Sequence, residues 1–164
     1  MNNLSVRFEI EEVCKKHNIP KYRFCEVSKN QWRSILNNIE DAFLIKTHYT
    51  QGLHLGFNRL KEPNFSFGLV NATYKFFEYF DQDETIWFIA EDLHDKMWIY
   101  EGESSVIFNQ VIPELYHLRD YYLVSKKYKW LFNENHNGIC VSGELIIDRM
   151  KAFVEDHSQM IVIT

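Results

Sequence analysis

The chain has 164 residues, 46% of them apolar and 16% aromatic, which is enough for one domain with a substantial core and short of two. Charged residues make up 25% and the formal net charge is −5. That balance speaks against nucleic acid as the main partner, because phosphate binding needs clustered Lys and Arg; a basic partner suits it better.

Cys14, Cys25 and Cys140 are odd in number and widely spaced, with no CxxC and no His at zinc-ligand distance, so buried reduced thiols are expected. The N-terminus lacks a signal-type apolar region. No apolar run approaches the roughly 20 residues that span a bilayer, and a cytoplasmic protein is expected.

In chain order, Val6, Ile10, Val13, Cys14 and His17 recur at helical spacing, with Glu9, Glu11, Glu12, Lys15 and Lys16 on the other positions. Asn18 and Pro20 end this first helix, and Tyr22 to Val27 is a short strand-like run. Ser28 predicts the N-cap of a second helix, with Gln31 completing a capping box and Val27 set to pack on Trp32. Its buried stripe is Trp32, Ile35, Leu36, Ile39 and Phe43. Thr47 to Pro63 has no clean period, and His48 and His54, six apart, do not make a ligand pair, so no metal is expected there. Asn64 to Leu69 reads as a strand and Thr73 to Phe80 as a helix.

Thr85 to Ala90 and Lys96 to Tyr100 are short aromatic and β-branched runs around the polar EDLHD, an antiparallel hairpin. Trp87 in this run and Trp130 farther on are expected in the core. Ser104 or Ser105 caps a helix that Pro113 disrupts. Tyr121 to Val124, Trp130 to Phe132 and Ile139 to Val141 predict three strands, the last two joined by a turn at Asn137-Gly138. A final helix follows Ser142 and Gly143, with an apolar face of Leu145, Ile146, Met150, Phe153 and Val154. The terminal MIVIT suggests an edge strand. The sum is a single α+β domain over residues 1–164, with helices at both termini and a mostly antiparallel sheet from the second half.

The chain has no phosphate-binding loop, dinucleotide fingerprint, nucleophile elbow or HExxH, so no cofactor is implied. Two groups of polar residues remain. Glu134, Asn135 and His136 lie beside the turn, with Lys126 and Tyr128 one strand away; such a set can do acid/base chemistry on phosphodiesters, or it can simply build a hairpin. The acidic runs Asp81, Asp83, Glu84 and Glu91, Asp92 suit either a cation or a solvated turn.

The stretch WFIAED, then WIYEG, then YYLVSKKYKWL with Glu134-Asn135-His136 resembles an uncharacterised bacterial domain family of small soluble proteins over about the last half of the chain. In general type that family is similar to bacterial immunity proteins, which neutralise a cognate toxin. The resemblance implies a non-enzymatic binding protein whose acidic, aromatic surface covers a basic toxin, with Asp81, Asp83, Glu84, Glu91, Asp92, Lys126, Tyr128, Glu134, Asn135 and His136 as candidate binding residues. The alternative is a small hydrolase or nuclease using His136, Glu134, Lys126 and Tyr128.

Overall fold

The strand-length runs pair into one antiparallel sheet. The computed structural model describes residues 5–46, 59–69 and 74–162; His48 and His54 lie outside them. Helix α1 (Val6–Lys16) leads to strand β1 (Phe24–Glu26) and helix α2 (Lys29–Phe43). Strands β2 (Asn64–Leu69), β3 (Thr85–Asp92) and β4 (Met97–Glu103) follow, then the short helix α3 (Ser104–Val106). Strands β5 (Leu118–Ser125), β6 (Leu131–Asn135) and β7 (Gly138–Ser142) precede helix α4 (Glu144–Asp156) and strand β8 (Ile161–Val162). The order across the sheet is β1-β4-β3-β5-β6-β7-β2-β8. The first half thus contributes two strands, one of them at an edge, and the terminal run is the other edge as expected.

Strand β3 lies at the middle of the larger hairpin group and is buried at every residue except Thr85. It reads as a continuous apolar run because both of its faces are covered. Ile86, Phe88 and Ala90 face one core, under α1, α3 and α4, while Trp87 and Ile89 face a second, under α2. The stripe of α2 explains this: Ile35, Ile39 and Phe43 are buried, with Trp32 and Leu36 partly so. Ser28 is its N-cap but makes no side-chain capping bond; the contact with Val27 is instead a hydrogen bond from Trp32 Nε1 to the Val27 carbonyl, 2.8 Å.

Rings fill the first core. Tyr74–Tyr79 is a 3-10 helix and not the α-helix expected, because its rings need three-residue spacing. Tyr74 stacks on Phe77 at 5.4 Å, and Phe77 in turn on Phe108 at 4.1 Å. Ser104 does not cap α3: its hydroxyl donates to the Glu84 carbonyl, 2.9 Å, tying α3 to the turn before β3. Pro113 does not end the helical segment either. The chain passes through a π-helical turn, Ile107–Val111, into a 3-10 turn, Ile112–Glu114, where the missing Pro N–H costs nothing. On α4 the buried face is Ile146, Ile147, Met150 and Phe153, and Leu145 is 52% exposed, contrary to expectation. The three thiols are free but only partly buried.

The β6–β7 turn sits one residue earlier than its Asn-Gly signal suggests. Asn135 pairs with Gly138, so His136 and Asn137 are the turn residues. The Asn135 side chain accepts from the Asn137 N–H at 2.8 Å, an Asx-turn that fixes this register. Gly138 has φ +128, which favours glycine, and a Cβ there would also lie 2.5 Å from the Phe67 carbonyl oxygen, so both the local backbone and the neighbour strand require Gly.

Candidate functional site

The sheet register separates the polar residues picked out from the sequence. Lys126 and Tyr128 lie in the turn between β5 and β6; Glu134, Asn135 and His136 lie at the far end of β6, a strand of five residues and about 16 Å. The Lys126 ammonium sits 3.3 Å from the centre of the Trp87 ring on the α2 face and pairs with Glu101. Tyr128 accepts a long hydrogen bond from Asn38 of α2, 3.4 Å. Glu134 points to the opposite face, where it accepts a hydrogen bond from the Tyr121 hydroxyl. The four side chains of the hydrolase alternative therefore do not converge.

Burial pushes the Glu134 carboxyl above its ordinary value, partly offset by the Tyr121 hydroxyl. A carboxyl raised in this way adds stability below its unfolded pKa, and that stability is lost as pH rises through the folded pKa. Glu134→Gln keeps an acceptor for Tyr121 without the charge. It should melt near wild type at pH 4 and above wild type at pH 8, and a variant that melts below wild type only at pH 8 would contradict the sign.

The acidic runs also part company. Asp81, Asp83 and Glu84 precede β3, where Asp81 accepts from the Asp83 N–H at 3.1 Å, a turn role. Burial raises the Glu84 carboxyl, with the Asp81 charge adding to it. Glu91 and Asp92 end β3 and are each 1% exposed, so the solvated-turn reading fails for them. One oxygen of Asp92 holds the hairpin turn by accepting from the N–H groups of His94 and Lys96, at 2.8 and 3.1 Å. Glu91 pairs with Arg119, which also binds Asp95 and lies 3.4 Å from Asp120. Burial opposes the charge on Arg119, but these carboxylates outweigh it and hold the guanidinium above its usual value.

This end of the sheet carries what sequence reading missed. Leu93 follows β3 and Tyr116 precedes β5, two strands that pair at Asp92 and Leu118. Leu93 is 59% exposed and Tyr116 86%. Tyr116 is nevertheless held from below: the Glu9 carboxylate of α1 accepts from the N–H groups of Tyr116, 3.1 Å, and His117, 3.0 Å, and meets the His117 ring nitrogen at 2.6 Å. Between Tyr116 and α1 runs an open cleft of 290 Å³, with Phe8, Val13 and Tyr116 as its apolar walls and Glu9, Glu12 and Glu114 as its carboxylates. The Lys16 ammonium and then the His17 ring hold Glu114 below the ordinary carboxylate value. Each carboxylate here has a partner: Glu9 meets His117, Glu12 pairs with Lys15 at 2.7 Å and Glu114 with Lys16 at 2.7 Å.

A family of unknown function, DUF6756, matches residues 2–154. The chain belongs to the DUF6756 family. The match runs from before α1 into α4, so the DUF6756 span includes Phe8, Glu9, Glu91, Tyr116 and Arg119 and leaves out β8. No curated protein and no solved structure matches the chain. Among the described residues no group of three or more His, Cys, Asp or Glu is placed to hold a metal ion, and no helix is long and apolar enough to cross a membrane.

Proposed function

We propose that this DUF6756 chain is a non-enzymatic protein-binding module, and specifically an immunity-type inhibitor that covers a basic surface of a bacterial toxin. The observation that supports the reading is Tyr116, a ring almost wholly in solvent on a backbone clamped by Glu9. An exposed ring carried on a backbone that is already held leaves only side-chain freedom to be lost on binding, which helps aromatic anchors at interfaces. Phe8 beside it, 43% exposed, enlarges the apolar contact, and the two rings can flank the side chain of a Lys or Arg from the partner. The net charge of −5 steers such a partner toward the chain. Action before the toxin leaves the cell would place the inhibitor in the cytoplasm, where its free thiols stay reduced.

The test is co-expression with the product of the neighbouring gene in a host that this product kills. Growth should be rescued by the wild type and by His136→Ala, and rescue should be lost with Phe8→Ala/Tyr116→Ala, whose melting temperature stays within about 2 °C because both rings are at the surface. Turnover of a phosphodiester substrate that disappears in His136→Ala would overturn the reading.

A further inference from the structure

On its other flank α1 borders a second cleft, between the helix and the edge strand β1. It has a volume of 370 Å³, within the range of small-molecule sites. Ile10, Cys14, Ile19 and Phe24 form its apolar walls, and Tyr100 of β4 lies beneath them. Tyr100 is 3% exposed, and its ring stacks on Phe24 at 5.2 Å, nearly parallel. Its hydroxyl is buried without a hydrogen-bond partner among the described residues.

The surroundings explain why no described residue takes that hydroxyl. The charged groups that act on Tyr100 are Glu26, Arg7 and Glu11, two of them on the rim of this cleft. Both carboxylates are engaged by Arg7, whose Nε lies 2.8 Å from Glu26 and 3.6 Å from Glu11. Burial pushes the phenol well above its ordinary value, so the hydroxyl stays protonated and acts as a donor. A buried donor beside apolar walls matches a molecule with one acceptor and an apolar body. With their partners Arg7 and Glu12 included, the charges at the rim, Arg7, Lys15 and Lys21 against Glu11, Glu12 and Glu26, cancel, so neither an anion nor a cation is favoured.

We propose that the cleft between α1 and β1 is a binding site for a small neutral molecule with an apolar body and one carbonyl or ether oxygen, which accepts a hydrogen bond from Tyr100. This site is separate from the Tyr116 face and does not depend on the protein-binding reading.

Acetophenone and ethylbenzene are suitable probes, being nearly equal in shape and differing in the acceptor. Titrated into the full chain at millimolar concentration and followed by NMR, acetophenone should give saturable shifts at Ile10, Cys14, Ile19 and Phe24. Tyr100→Phe keeps the ring stack and removes only the donor. It should weaken acetophenone about five- to tenfold, one hydrogen bond's worth, and leave ethylbenzene unchanged. Ile19→Trp, which fills the cleft from its half-buried wall, should abolish the shifts from both probes. Absence of saturable shifts in the wild type, equal weakening of both probes by Tyr100→Phe, or persistence of binding in Ile19→Trp would each overturn the proposal.

Discussion

Trp130→Ala should lower stability by about 3–5 kcal/mol, which at a slope of about 2 kcal/mol per molar moves the urea midpoint by about 2 M. The ring is 2% exposed and meets Phe80 edge-on at 5.5 Å, in the layer where β6 and the segment before β3 close the first core. Neighbouring rings cannot collapse into the void, because Phe80 is already held against Phe108 and Phe132 at 5.1 and 5.4 Å. The backbone is fixed too: Ser125 Oγ accepts from the Trp130 N–H at 3.2 Å, and the Cα is so close to Gly143 that a Cβ there would lie 2.9 Å away. A midpoint unchanged within error would place the ring at the surface and contradict the fold.

Arg119→Met should cost about 3 kcal/mol, for a different reason. The Glu91 side chain is 2% exposed, and Arg119 is an ion-pair partner that offsets its charge; without it, Glu91 and the neighbouring Asp120 carry less compensation at a buried site. The guanidinium is 32% exposed, which is why the figure sits at the lower end for a buried pair. Arg119→Met/Glu91→Met removes both charges and should recover most of the loss. If the double variant is no better than the single one, the cost comes from packing of the Arg stem and not from the uncompensated charge of Glu91.

These two sites differ in how far they could be read from sequence. Trp130 stands at the head of an apolar strand run, and its burial follows from the local pattern. Glu91-Asp92 sits between two strand signals and reads as a solvated turn, because Arg119, which pairs with the buried Glu91, lies 28 positions away. The α2 stripe and the β3–β4 hairpin were legible for the same local reason as Trp130. The Asn137-Gly138 turn is displaced by one residue because the Asn135 side chain closes an Asx-turn on the Asn137 N–H, while the space at Gly138 is set by Phe67 on β2, a partner that the local sequence does not contain. The residues of the hydrolase alternative are not brought together, because a five-residue strand lies between the two halves of the set. Tyr116 gave no sequence signal of its own: it follows Pro113 in a stretch without period, and the carboxylate that orders it lies 107 residues earlier. A half-buried Glu on the first turn of an amphipathic helix was the only trace.

The proposed function has the chain bind its partner through the face formed by Phe8 and Tyr116. The most direct measurement is quantitative affinity enrichment from the native host with four tagged forms: wild type, His136→Ala, Phe8→Ala/Tyr116→Ala, and Leu145→Ala, which alters an exposed residue at the opposite end of the sheet. The predicted result is one protein with a basic surface enriched by wild type, His136→Ala and Leu145→Ala, and at least tenfold depleted with the double variant. Equal enrichment by the double variant, or loss of the partner with Leu145→Ala alone, would contradict it.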